Sequence, residues 1–385
     1  MQGITAVSEG NPILHFITNR VSAHRYVEPQ VMALAEAGFN VELWAERNER
    51  ADEFFHKMQV RKRLAAFTLN VNPFVSLARA VCLWRELAKM RPAGIHAHQT
   101  KGSILPLLAA RLAGVKVRIY HSHGSAYWGT SGLLQWMVGR LEWLNCSLAT
   151  HVLFVNPALM ELFVRDGLVE AAKAQVLGPG SACGLDFADY PPEADDALAR
   201  QRERRKLSLP DEAFVALYVG RPHKRKGFDF LLKAWLASGY AEPDAVLLLA
   251  GCNEQDVKRV IGTSRPGIRA LGYCHDMHPL YVACDVVVLP SEHEGMGYAL
   301  LEGGACKRPV VVSDIPGIRM VVSDGVEGLV HPLDDLPAFL ECLERLRADP
   351  ALRKRLGEQG RLKALQFERR TVLAHLIAFY QHIFK

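Results

Sequence analysis

The sequence predicts two α/β domains, each built on a parallel, doubly wound sheet. Apolar runs of strand length alternate with amphipathic stretches of helix length, from Ile13 to Arg165 and again from Ala213. That is the rhythm of βα units. It breaks between Gly178 and Leu209, where Gly178-Pro179-Gly180, Pro191-Pro192 and the basic run Arg200 to Lys206 intervene. The 385 residues are also more than one core usually holds. The expected boundaries are a first domain over 1–185, a linker over 186–208 and a second domain over 209–367. A terminal helix, about 368–385, is expected to pack back on the first domain.

Taken in order, Ile13 to Thr18 reads as a strand, Ala23 to Ala37 as a helix stopped by Gly38, and Val41 to Ala45 as a strand. Phe74 to Met90 is a helix, Gly94 to Ala97 a strand, and Ser103 to Ala113 a helix ended by Gly114. Val115 to Tyr120 is a strand running into His121-Ser122-His123-Gly124; Leu133 to Leu148, His151 to Val155 and Pro157 to Arg165 continue the alternation. In the second half the strands are Ala213 to Val219, Ala245 to Ala250, Ile268 to Leu271, Val286 to Leu289 and Pro309 to Val312. Helices are expected at Phe228 to Ser238, Glu254 to Ile261 and Tyr298 to Glu302, and the chain reads as helical after Leu329.

Composition narrows the class. Apolar residues are 49% and charged residues 23%, a globular balance. The net charge of +5 is too mild to imply nucleic acid. No apolar run reaches the ~18 residues of a membrane span, and no signal peptide is evident. The 8 cysteines are scattered without a C-x-x-C pair, so a reduced, cytoplasmic compartment is expected. Lys57, Arg61, Lys62 and Arg63 lie near Phe54 and Phe55. Such a patch reads either as a solvated face or as a surface for anionic lipid.

Chemistry gathers at strand ends, where open α/β sheets bind ligands. After Val286 to Leu289 come Ser291-x-x-Glu294-Gly295-Met296-Gly297 and then Glu302. Paired carboxylate oxygens match the vicinal hydroxyls of sugars and ribose, and bare glycine backbone beside a helix start suits an anion. Gly220-Arg221 ends another strand, and Lys226-Gly227 opens the next helix. Arginine and lysine placed so supply charge-assisted bonds to phosphate. No D-x-D and no His/Cys set with ligand spacing is visible in the sequence, so no metal is expected.

These motifs, with Pro309-Val310-Val311 and the glycine turn at Pro316-Gly317, resemble the retaining GT-B glycosyltransferases of family four. The resemblance implies two Rossmann-like domains facing a cleft and transfer from a nucleotide diphosphate sugar, UDP-linked, to a saccharide or polyprenyl-diphosphate-saccharide. Arg221 and Lys226 then hold the diphosphate, with Lys224 and Arg225 as bystanders. Glu294 holds the sugar, Glu302 the ribose, and Gly220, Tyr273, Gly295, Met296 and Gly297 complete the donor site. His123 stands at the reacting centre, with Asn19, Arg20, Ser22, His98 and His121 on the acceptor side. Asp276 reads as a cap and Tyr281 as packing. Gly180-Ser181-x-x-Gly184-Leu185-Asp186 resembles members that build bacterial surface polysaccharide, which implies work at the inner membrane face. Met320 and Pro316 depart from the family's turn. A sugar-nucleotide epimerase or a non-catalytic nucleotide-binding scaffold would share the fold.

Overall fold

The structure, a computed structural model, describes residues 10–18, 23–46, 61–191 and 197–385. It divides into two compact units, one holding everything up to Gly184 together with Arg369–Lys385, the other Leu185–Glu368.

The first unit carries seven parallel strands: β1 Ile13–Ile17, β2 Val41–Glu46, β3 Lys62–Ala65, β4 Gly94–His98, β5 Val117–Ser122, β6 His151–Phe154 and β7 Ala174–Val176. Their order is β3-β2-β1-β4-β5-β6-β7. Side chains alternate along a strand, and β1 divides accordingly. Leu14 and Phe16 enter one core with Trp44, Tyr120 and Phe154. Ile13 and Ile17 enter another with Val31, Leu34, Ile119 and Leu153. That second face is completed by Leu373, Leu376, Phe379 and Tyr380 of the terminal helix Arg369–Ile383.

The second unit carries β8 Phe214–Val219, β9 Ala245–Ala250, β10 Ile268–Gly272, β11 Val286–Leu289, β12 Val310–Ser313 and β13 Gly328–His331. The order is β10-β9-β8-β11-β12-β13, again parallel. All residues of β9 and β11 are buried, as sheets covered on both faces require. The register Val286↔Ala216 sets the ends of β8 and β11 side by side.

Several expectations are revised. The stretch 186–208 is not a linker but part of the second unit, and Ala197–Lys206 is a helix with Arg204 3% exposed. Two members of its basic run, Arg200 and Arg204, are partners for Asp285, while Arg202 and Lys206 pair with Glu203. The Asp285 carboxylate accepts from Arg200 Nη2, from Arg204 Nη2 at 2.7 Å and from the Val215 N–H at 2.7 Å. Burial alone would raise the Asp285 pKa, but Arg200 and Arg204 beside it hold it below the usual carboxylate range.

β3, β7 and the helix His278–Ala283 are further elements, and β13 precedes the terminal helices. β3 reads as polar because edge strands carry charge. The charge there is used locally, by Arg63 of the strand and by Arg61 just before it. Arg61 donates to Asn40, and Arg63 pairs with Glu86 and stacks 4.7 Å over Trp44. Of the expected lipid patch, Phe54, Phe55 and Lys57 lie outside the described residues.

Asp285→Ala removes the counter-charge of the buried Arg204 guanidinium and of two partly buried ones, Arg200 and, with its Nε 3.8 Å away, Arg353. Breaking a buried pair costs about 3–5 kcal/mol, and the 27% exposure of the Arg200 side chain puts the expected loss near the lower figure. Urea unfolding measures it; a loss under about 1 kcal/mol would show that the cluster contributes little.

Candidate active site

In the second unit the loop after β11 is fixed by backbone approaches that only glycine permits. Gly227 has φ +67°, and a Cβ there would sit 1.8 Å from the Pro290 carbonyl oxygen. A Cβ on Gly317 would sit 1.9 Å from the carbonyl oxygen of Glu294. The segments opening at Lys226 and Pro316 are thus pressed against the loop that carries Glu294.

Glu294 is 6% exposed and has two partners. Lys226 Nζ donates at 2.6 and 2.8 Å to its two oxygens, and Ser291 Oγ donates to Oε1 at 2.8 Å. An ammonium has three N–H groups, so the two contacts to Glu294 leave Lys226 one more. Arg221, just past β8, is exposed, and its guanidinium makes no hydrogen bond or ion pair among the described residues; its carbonyl accepts from Tyr218 Oη at 2.9 Å. Arg225, read as a bystander, has a buried Nε without a partner among the described residues, whereas Lys224 is exposed beside Glu292.

Glu302 lies on the helix Tyr298–Ala305 and is 1% exposed. Tyr281 Oη donates to it at 2.7 Å, so Tyr281 orients a carboxylate as well as packing. Gly297, at φ +64°, precedes that helix. The Met296 side chain is in the core, which leaves only its backbone to face a ligand. Tyr273 is 68% exposed, with its ring edge against His275. Gly220 is half-buried, and Asp276 accepts from the N–H of His278 at 3.1 Å.

In the first unit five histidines meet. The registers His15↔His96 and His98↔His121 align β1, β4 and β5, and the i, i+2 spacing of His96/His98 and His121/His123 keeps each pair on one face. His98 Nδ1 lies 2.9 Å from His123 Nε2, and His98 Nε2 lies 3.2 Å from His15 Nδ1. His15 Nε2 is 3.1 Å from Tyr380 Oη. The same hydroxyl is 2.7 Å from His96 Nδ1, and His96 Nε2 is 3.2 Å from His121 Nδ1. His98 and His121 are buried and bonded to other histidines, so neither presents a ring to an acceptor. His123 is half-buried, at the carboxyl end of β5. Asn19, Arg20 and Ser22 lie outside the described residues.

The sequence spacing hid this cluster, because it is assembled by register between strands. Two triplets, His15/His96/His98 and His98/His121/His123, have ring nitrogens within 4.8 Å of one another, near enough to hold a metal ion. Both nitrogens of His15, His96 and His98 are already paired, so a cation would enter only by breaking those bonds. The loop after His123 is held by Glu142, another residue the motifs do not mark. Its buried carboxylate accepts from Tyr120 Oη at 2.6 Å, Thr100 Oγ1 at 2.8 Å and Ser125 Oγ.

Burial pushes the imidazoles down, His15 to about 3 and His123 to about 4, and His96, His98 and His121 also below their ordinary value. The folded state therefore holds them neutral, whereas the unfolded chain protonates them below about pH 6.5. Their stabilising contribution is complete above that pH and is lost as pH falls toward the folded values. Each can remove up to about 1.4 kcal/mol per pH unit in that window. Urea unfolding at pH 7 and pH 5 tests this, and equal stability at the two would contradict it.

Two family models match this chain, one described as Glycosyl transferase 4-like domain over residues 23–180, the other as Glycosyl transferases group 1 over residues 213–349. The capsular polysaccharide biosynthesis glycosyltransferase CapM of Staphylococcus aureus is 24% identical over 343 residues, covering 87% of this chain and 86% of CapM. An Escherichia coli UDP-Gal:alpha-D-GlcNAc-diphosphoundecaprenol alpha-1,3-galactosyltransferase is 27% identical, covering 74% of this chain and 73% of that enzyme. Among solved structures, Anabaena HepE in complex with UDP and glucose superposes with a TM-score of 0.77 at 16% identity, covering 97% of this chain and 100% of HepE. With one model on each unit, and two Rossmann-like parallel sheets of the GT-B kind beneath them, the chain belongs to the group 1, GT4-like glycosyltransferases.

Proposed function

We propose that this enzyme transfers a sugar, with retention at the anomeric carbon, from a UDP-linked donor to a hydroxyl of a saccharide or polyprenyl-diphosphate-linked saccharide. The observation that carries the reading is Lys226. It is bonded to both oxygens of buried Glu294 and has one N–H to spare, and the exposed guanidinium of Arg221 belongs to the same loop after β8, five residues earlier. As the bond from anomeric carbon to diphosphate oxygen breaks, negative charge builds on the leaving group. Arg221 and the third N–H of Lys226 stabilise that charge, and Lys226, already held by Glu294, loses little to reorganisation. Glu294, held by Lys226 and Ser291, takes sugar hydroxyls, and Glu302, oriented by Tyr281, takes the ribose pair. Gly220, Tyr273 and the backbone of 295–297 complete the donor site. His123, half-buried at the carboxyl end of β5, is taken to act in the reaction. These two cations perform the neutralising role, so no divalent ion is needed. The names of the S. aureus and E. coli relatives support surface polysaccharide and a diphosphate-lipid acceptor as the setting.

Release of nucleotide diphosphate from a panel of donors, with membrane lipid extract as acceptor, tests the reaction. Release dependent on acceptor and unaffected by EDTA is expected; complete loss in EDTA, restored by magnesium or manganese, would remove the metal-free reading. Arg221→Ala, an exposed change that spares the fold, and Lys226→Ala should each slow turnover ~100-fold or more. Near-normal rates in both would remove the diphosphate assignment.

The peripheral membrane reading is best supported by a different surface from the basic strand edge. No helix of the described residues is long and apolar enough to cross a membrane. The helix Gly132–Leu148, however, exposes Leu133, Leu134, Trp136 and Met137 at its start, with Arg140 stacked on Trp143 one turn on. Apolar and aromatic side chains beside a cation suit the headgroup boundary of an anionic membrane. Each large side chain taken out of water contributes roughly 1.5–3 kcal/mol. Leu133→Gln with Trp136→Gln should abolish co-sedimentation with anionic liposomes, while Arg61→Gln with Arg63→Gln should leave it largely intact. The reverse pattern would return the contact to the strand edge.

A further inference from the structure

The histidine array is one unbranched chain. From one end its order is His123, His98, His15, Tyr380, His96, His121, and every link is a single contact of 2.7–3.2 Å. His98, His15 and His96 each use both ring nitrogens within it, and His123 and His121 each use one. A neutral imidazole has one N–H and one bare nitrogen, so it donates on one side and accepts on the other. A protonated ring would donate on both sides, but burial holds all five rings in the neutral form. The Tyr380 hydroxyl has one proton, so it donates to one of its two neighbours and accepts from the other. An arrangement in which it accepts from both leaves its O–H without an acceptor in a core, where polar hydrogens are paired.

Two patterns therefore satisfy every link. If Tyr380 donates to His96 Nδ1, then His96, His121, His15, His98 and His123 all carry their proton on Nε2. If Tyr380 donates to His15 Nε2, all five carry it on Nδ1. We infer that Tyr380, on the terminal helix, fixes the tautomer of His123 three links away, and that the five histidines share one tautomer. The consequence appears at the chain's ends. In the first pattern the nitrogen outside the chain is bare on His123, Nδ1, and protonated on His121, Nε2; in the second these characters are exchanged. Whether His123 offers a donor or an acceptor is thus decided jointly by His98, His15 and Tyr380. Tyr380 is a positioning residue for whatever His123 contacts, and its link to sugar transfer rests on the reading of His123 above.

Nitrogen-15 NMR of imidazole-labelled full-length protein reads the tautomer of each ring. The wild-type spectrum should give one tautomer for all five histidines. A mixture of Nε2–H and Nδ1–H rings among them would overturn the chain, and this measurement needs no variant. Tyr380→Phe cuts the chain into His15-His98-His123 and His96-His121, so the two segments should lose their agreement. Its turnover should fall by about tenfold or more at an unchanged donor KM, the mark of a second-layer group that orients a reacting one. A variant with the wild-type tautomer set would overturn the role of Tyr380. Uncoupled tautomers with wild-type turnover would leave the chain standing and remove His123 from the reaction. Zinc titration supplies the remaining contrast: stoichiometric binding that shifts all five rings would make the array a metal site and overturn the hydrogen-bond chain.

Discussion

A carboxylate taken out of water must find its counter-charge or its donors at once, and that requirement shapes both units. Isolated ionised groups are too costly to bury unpaired. Glu294 meets it with Lys226 and Ser291, Asp285 with two arginines and a backbone N–H, and Glu142 with three hydroxyls. The three solutions are chemically distinct, and the distinction matters. Arginines satisfy Asp285 completely and lock the helix Ala197–Lys206 to the strand ends. Hydroxyls hold Glu142 while burial pushes its pKa up. The lysine on Glu294 keeps a donor in reserve, and that is the residue proposed above to meet the donor diphosphate.

The first unit shows the same economy with neutral groups. Its sheet face under the terminal helix is lined with imidazoles among Ile13, Ile17, Ile119 and Leu153. Burial disfavours their charged form, and a ring with one donor and one acceptor fits a linear array without leaving a remainder.

Much of the fold was legible in the chain. The apolar runs at Val286 to Leu289 and Ala245 to Ala250 are buried on both faces, and such strands announce themselves without alternation. β3 and β7 were not legible, because Lys-Arg-Leu-Ala and Ala-Gln-Val are short edge segments whose pairing partner, not their composition, makes them strands. The segment 186–208 misled for a related reason: a run of arginines reads as solvated until Asp285, some eighty residues on, is known to lie beside it. At the site, Glu294, Arg221 and Lys226 could be picked out because strand ends and glycine turns have local signatures. The bond between Lys226 and Glu294, the support of Glu302 by Tyr281 and the meeting of five histidines could not. Each depends on register between strands distant in sequence, which one sequence does not encode in any local pattern.

The terminal helix has a consequence for how the protein is made. Leu373, Leu376, Phe379 and Tyr380 complete one face of a sheet whose strands are all synthesised before Gly184, with the whole second unit emerging in between. Domains commonly fold in the order in which they leave the ribosome. Here the first unit to be made is the last whose core can close, and its histidine-lined face stays open to water, and to chaperones, until the second unit has been translated.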